Sequence, residues 1–322
     1  MTQTSPAAAR QLDAIPVHRK SLSQRLRENW QLYVMLLIPV VLTIVYKYWP
    51  MYGIQIAFRD FKASRGITGS EWVGLYWFER FFTAPNCVRM IKNTVLLSLY
   101  SLLWSFPIPI ILSLCINQLR FAKFKRVVQT VVYLPYFVSW VLMAGIIVDI
   151  FSPANGLVNK LLGFFGVKPI FFLGDNKWFK FVIILTNVWK EFGWGTIIYM
   201  AALSGIDPSL YEAAVIDGAG RIRQTWSITL PGLMPTIVLT ATLSLGNILN
   251  AGFDQIFMLY SALVYDVADI IDTYVYRVGM TDKLQYSLST AVGLFKNVIG
   301  FALVVTSNAI IRRMGDGGNG IW

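Results

Sequence analysis

The sequence predicts an all-α membrane protein with six transmembrane helices. Three observations carry that prediction. Of 322 residues, 56% are hydrophobic and 14% charged, against about 25% charged in soluble domains, and the mean hydropathy is +0.56. Apolar runs close to the ~20 residues that a hydrocarbon core requires recur along the chain. The intervals between them hold most of the charge.

Residues 1–30 form a polar tail carrying Arg10, Arg19, Lys20, Arg25 and Arg27. Leu22, Leu26 and Trp30 recur at helical spacing, so this cytoplasmic tail either lies as an amphipathic helix on the membrane surface or stays irregular. It has no apolar core followed by a cleavage site. The transmembrane domain, residues 31–311, is expected to span at about 32–50, 91–116, 127–151, 179–203, 232–262 and 286–311, with 312–322 as a second cytoplasmic tail. Residues 51–90 read as an outer segment whose Trp72, Trp77 and Phe78 suit the membrane interface. Pro153, Gly156 and Gly163 mark a second outer loop, and Asp266, Asp269, Asp272 and Asp282 place residues 263–285 outside as well. Pro107, Pro109 and Pro135 fall inside spans and predict kinks.

Six spans put both termini on one face. The loop with Arg120, Lys123, Lys125 and Arg126, the basic tail and Arg312-Arg313 share it, and the positive-inside rule makes that face cytoplasmic. Arg59, Lys62, Arg65, Arg80 and Arg89 run against the bias. The 28 Lys and Arg exceed the 17 Asp and Glu, for a net charge of +11. Positive flanks of membrane spans are one source of it and attraction to an acidic substrate is another; no basic cluster is interleaved with a nucleic-acid fold, so no nucleic-acid partner is expected. Cys87 and Cys115 are separated by roughly 40 Å of helix, too far for a disulfide. With His18 the only histidine, no metal site is expected. Gly315, Gly317 and Gly320 fit G-x-G-x-x-G, but no strand precedes them. No G-x-x-x-x-G-K-[ST] occurs, so no ATP-binding loop is expected in this chain.

The stretch that organises the rest lies between the fourth and fifth spans. Asp207-Pro208 is a helix start, and Gly218 and Gly220 are a stop, so a helix is predicted over 208–219. Leu210, Tyr211, Ala214, Val215 and Gly218 share one face, while Ala213 and Ile216 point elsewhere. A solvated helix shows a polar outer face, yet only Glu212 and Asp217 are charged here. The helix therefore reads either as a plain connector or as one covered on two sides, by its own membrane domain and by another protein.

Glu212-Ala213-Ala214, then Asp217-Gly218-Ala219, then Trp226, Ile228-x-Leu230-Pro231 and Pro235 form one pattern. It resembles the EAA signature of binding-protein-dependent ABC importer permeases. From about residue 30 onward the chain is similar to the sugar-importer branch, most of all to the first permease subunit of alginate and other polysaccharide importers. The resemblance implies a type I importer fold in a bacterial cytoplasmic (inner) membrane, with 208–219 as the coupling helix seated in a cleft of the ATP-hydrolysing subunit. Glu212, Ala213, Ala214, Asp217, Gly218, Ala219, Leu230 and Pro231 would form that contact. Implied partners are a second permease subunit, an ABC ATPase dimer that binds ATP and magnesium, and a periplasmic or extracellular sugar-binding protein. The chain itself would be a transport subunit without catalytic residues or cofactor.

Polar groups inside spans are costly and mark sites by default. Asn187, Trp189, Lys190 and Glu191 lie in the fourth span, Ser244, Asn247, Asn250 and Phe253 in the fifth, and Lys296 and Asn297 in the sixth. They predict a polar translocation path in which amides and hydroxyls bond sugar hydroxyls and aromatics such as Tyr136, Trp140, Trp189 and Phe253 stack on sugar faces. The competing reading is hydrogen bonding between helices, with an ion pair such as Lys296 with Glu191. Two cations on the path would suit a uronate, whose carboxylate needs a partner when dehydrated; a neutral, maltose-like oligosaccharide is the alternative. An ion-coupled secondary transporter would need an inverted repeat with buried acids, and a membrane enzyme a clustered acid, histidine or nucleophile. Neither pattern is present.

Overall fold

A computed structural model describes residues 24, 27–246, 248–282 and 284–314. Leu22, Leu26, Asn247 and the glycines of the C-terminal tail lie outside them. The chain divides into two units, residues 1–55 and 56–322.

In the first unit an α-helix, Trp30–Thr43, continues through a π-turn, Ile44–Tyr48. Pro39 sits inside the helix, and the Thr43 hydroxyl donates to its carbonyl at 2.7 Å, four residues back. None of the helix residues is buried. A helix apolar on every side is built to meet lipid or another protein rather than water.

The second unit opens with an antiparallel hairpin, Arg59–Lys62 paired with Gly66–Trp72, which the all-α expectation did not contain. Its register is irregular between Asp60 and Lys62. The Trp77 indole donates to Arg59 O at 3.0 Å, tying the hairpin to the short helix Tyr76–Phe82.

Four helices among the described residues are long and apolar enough to cross a membrane: Trp30–Phe58, Cys87–Asn117, Arg221–Leu245 and Tyr286–Ala309. The fourth expected run forms a 28-residue helix, Asn176–Leu203, about 42 Å long. Asn187, Lys190 and Glu191 near its middle make it too polar for that set.

Two runs expected as single spans are broken. The third bends by 103° between Ala122–Phe137 and Trp140–Phe151. The proline expected to kink it, Pro135, sits in a 3₁₀ turn, Val138 is extended, and Ser139 Oγ accepts from the Leu142 amide to start a new helix. The fifth run is helical over Leu230–Gly246 and again over Phe253–Leu259. Residues 248–252 before the second helix are unwound, and Gly252 takes φ +81°, open to glycine at little cost.

The main core forms where Trp140–Phe151, Asn176–Leu203 and Phe253–Leu259 meet, through Met143, Ile147, Phe179, Ile183 and Ile256. A second cluster joins Trp77, Phe81 and Met90 to Ile271, Leu288 and Val292. A Cβ at Gly193 would collide with the Val132 carbonyl, so glycine there lets Asn176–Leu203 pack directly against backbone. Cys87 and Cys115 are both free thiols.

Candidate functional site

Two features stand out, and the sequence pointed to both. The first is the helix Pro208–Ile216, three residues shorter than predicted at its C-terminal end. Asp207 caps it: its carboxylate accepts from the Ser209 amide at 2.9 Å, a bond that holds the carboxyl below its usual range. At the other end the Ala219 amide donates to Ala214 O at 2.8 Å and the Gly218 amide to Val215 O at 3.0 Å. That is a Schellman stop, and it requires the left-handed backbone that Gly218 adopts at φ +74°. Among the described residues nothing would meet a Cβ there within 4 Å. Within this chain, then, the glycine serves backbone conformation and not close approach.

This helix has no buried residue. Ile216 is 86% exposed, and in the turn that follows Ile222 is 78% and Trp226 68% exposed. Glu212, Ala213, Asp217 and Pro231 are exposed, whereas Ala214, Ala219 and Leu230 are half-buried. The Glu212 side chain forms no hydrogen bond or ion pair with the described residues. Two bonds fix the helix to its stem: the Tyr211 and Thr229 hydroxyls meet at 3.0 Å, and the Gln224 amide donates to Ala219 O at 2.8 Å. A shallow cavity of about 330 Å³ lies between helix and stem, lined by Leu210, Ala214, Arg223 and Ile228 among others.

The second feature is a cavity of about 560 Å³ whose lining includes Asn250, Phe253, Asp272, Tyr276, Ser289 and Lys296. Asn250 stands on the unwound stretch of the fifth run. Irregular backbone within an apolar run is tolerated where it lines a cavity. Lys296 Nζ, on the helix Tyr286–Met314, donates to Asp272 Oδ1 at 2.6 Å, to Asp272 Oδ2 at 2.7 Å and to Asn250 Oδ1 at 2.7 Å. Its ion-pair partner is therefore Asp272, not Glu191. Phe253 stacks on Phe257 at 5.3 Å and leans on Tyr276 at 5.7 Å, making one wall aromatic.

The other expected path residues are dispersed. Lys190 is buried, donates to Tyr136 O at 2.8 Å and lies 5.3 Å from both the Tyr136 and Trp140 rings. Two of the four aromatics expected to stack on sugar, Tyr136 and Trp140, thus face a lysine. Glu191 and Ser244 are half-buried and line a separate cavity of about 260 Å³ with Trp194 and Tyr199. Trp189 borders an apolar pocket with Ile147 and Phe151. Asn187 is half-buried and Asn297 exposed.

Sequence reasoning missed Asp272, which it placed in an acidic outer loop. Three acids of that expected loop, at 266, 269 and 272, are paired. Asp266 meets Arg89, Asp269 meets Arg277 at 2.8 Å, and Asp272 meets Lys296. Burial works against the Arg277 charge, but Asp269 outweighs it and holds the guanidinium above its usual value. The available signal was composition: VADIIDTYVY is too apolar for a solvated loop.

Apolar helices enclosing a polar cavity at an unwound segment, with a greasy capped helix held clear on a fixed stem, define a membrane permease. The chain belongs to the family described as binding-protein-dependent transport system inner membrane components, whose model matches residues 105–316. It is 43% identical to the polygalacturonan/rhamnogalacturonan transport system permease protein YteP of Bacillus subtilis (strain 168), over 98% of this chain and 99% of that protein. Protein LplB of the same organism is also 43% identical, over 91% of each chain. Among solved structures it is similar to a chain of a bacterial ABC transporter involved in the import of the acidic polysaccharide alginate. There the identity is 39%, the TM-score 0.83, and the match covers 91% of this chain and 99% of that one. A crystal structure of a bacterial alginate ABC transporter in complex with alginate pentasaccharide-bound periplasmic protein matches with 38% identity and a TM-score of 0.84, covering 94% and 100%. The fold is that of a type I ABC importer permease.

Proposed function

We propose that the chain is a permease subunit of an ATP-driven importer that carries acidic oligo- or polysaccharide across a bacterial inner membrane. Six spans, both termini in the cytoplasm, and the cavity around Lys296 as part of the sugar path complete this reading. The observation that carries it is Lys296 at the wall of a cavity that also offers an amide, a hydroxyl and an aromatic face, the groups that hold a sugar ring. Similarity to proteins named for polygalacturonan and alginate, both uronate polymers, supports a carboxylate-bearing cargo.

A binding protein delivers the sugar outside, and a second permease completes the path. ATP and magnesium bind a partner ATPase pair. Its closure moves Pro208–Ile216, held by its Schellman stop and the Tyr211–Thr229 bond, and the spans rock between inward- and outward-open states. The exposed Ile216, Ile222 and Trp226 supply apolar area for docking on that partner, and Glu212 is free to meet a basic group there.

A neutral oligosaccharide is the second reading, favoured by one observation: Asp272 already neutralises Lys296. ATPase stimulation in the reconstituted complex separates them. With binding protein present, oligogalacturonate or alginate fragments should stimulate hydrolysis and malto-oligosaccharides should not. The reverse order overturns the acidic assignment, and no stimulation by any sugar overturns the transport assignment.

A further inference from the structure

We propose that Asp272 sets the cavity's selectivity by standing in for the substrate's carboxylate on Lys296 between transport events, and that an entering uronate takes its place. This rests on the reading of the cavity as part of the sugar path.

Lys296 has three N–H donors and three acceptor atoms, two from Asp272 and one from Asn250, all within 2.7 Å. No donor is left for a ligand. A uronate in the same cavity would face Asp272 as a like charge unless that carboxylate withdraws. The three groups sit on three separate elements: the helix Tyr286–Met314, the helix Ile271–Tyr276 and the unwound stretch before Phe253. Relative movement of those elements can therefore open the pair without unfolding any of them. The Asp272 side chain is 23% exposed and that of Lys296 10%, so the carboxylate is the member with room to leave.

The energetics favour such an exchange over a bare lysine. A dehydrated ammonium with no counter-ion would bind a carboxylate strongly and release it slowly, and a pathway must let go of its cargo. Replacing one carboxylate by another on Lys296 keeps one counter-ion and three acceptors on the ammonium, while the displaced Asp272, the more exposed member of the pair, turns to water; entry and exit are then closer to balance than at a bare lysine. A neutral sugar has nothing to displace Asp272 with and meets a closed ion pair.

The test compares the complex carrying Asp272→Asn or Asp272→Glu with wild type, using a short oligogalacturonate and its carboxyl-reduced counterpart delivered by the same binding protein. In Asp272→Asn the KM for the acidic oligomer should fall about tenfold relative to the reduced one, because the competing charge is gone, and kcat should fall with it as release slows. Asp272→Glu should keep the wild-type ratio. Equal KM changes for both oligomers, or no change, would overturn the proposal. So would failure of Asp272→Asn to assemble while Asp272→Glu assembles, since the carboxylate would then be a fixed structural counter-ion. The wild-type response alone judges the acidic-import reading, and the shift between variants judges the role of Asp272.

Discussion

The Tyr211 hydroxyl meets Thr229 Oγ1 at 3.0 Å, joining the exposed helix Pro208–Ile216 to a π-turn, Thr225–Thr229, inside the next helix long and apolar enough to cross a membrane, Arg221–Leu245. A force applied to the exposed helix thus reaches the membrane domain through a second connection besides the chain itself. Removing the hydroxyl with Tyr211→Phe costs a bond of about 1 kcal/mol and leaves the ring in place. We expect ATP hydrolysed per sugar imported to rise up to about fivefold in vesicles. An unchanged ratio would mean that the backbone alone carries the motion.

Gly218 is where the same lever is most fragile. A side chain at φ +74° strains the backbone by about 1–2 kcal/mol, at a position where nothing among the described residues crowds a Cβ. Gly218→Leu should insert at normal levels, keep ATPase activity in the complex and lose uptake. Gly218→Asn, which tolerates left-handed backbone, should retain more uptake. Normal uptake by the leucine variant would contradict the lever.

Asp207 starts the helix, and its carboxyl lies below the usual range because the Ser209 amide bonds its charged form. A depressed folded value means that the cap's contribution is complete above the ordinary aspartate range and is lost as pH falls through the lower folded value. Amide-exchange protection at Ser209 should therefore hold from neutral pH into the ordinary carboxylate range and drop only below it. Asp207→Asn, an uncharged cap, should remove that drop. A loss of protection already above the ordinary aspartate range would contradict the assignment.

Asp269 is almost wholly buried against Arg277, whose guanidinium also lies 5.0 Å from the Tyr265 ring. Asp269→Asn leaves the cation without its carboxylate. Partly buried pairs broken on one side lose about 3 kcal/mol, and the complex in detergent should melt several degrees lower. Asp60→Asn, which breaks an exposed pair with Lys62, should leave melting unchanged. Equal effects would mean that burial does not distinguish the pairs.

How far the sequence could be read depended on how local the determinants were. The helix Pro208–Ile216 was legible because its cap, its glycine stop and its apolar faces all lie within a dozen residues. The break at Pro135 was visible as a kink but not as a bend of 103°, because its size is set by extended Val138 and by the Ser139 cap that starts a new helix. Asn250, Phe253 and Lys296 were expected along one polar path, and all three line the cavity. Asp272 was not, since its pairing joins two elements 24 positions apart. Lys190 shows the limit most clearly. Its place on the helix was predictable, but Tyr136 and Trp140 reach it only because the third run bends.

The central claim is that Pro208–Ile216 plugs into a separate nucleotide-hydrolysing subunit. Cysteine placed at Ile216 in a chain lacking Cys87 and Cys115, then treated with a short bifunctional thiol reagent in native vesicles, tests it most directly. The account predicts a cross-linked band containing the ATPase subunit, weakened when nucleotide changes the conformation. Repeated absence of that band at Ile216, Val215 and Ile222, with the protein inserted and uptake intact, would contradict it.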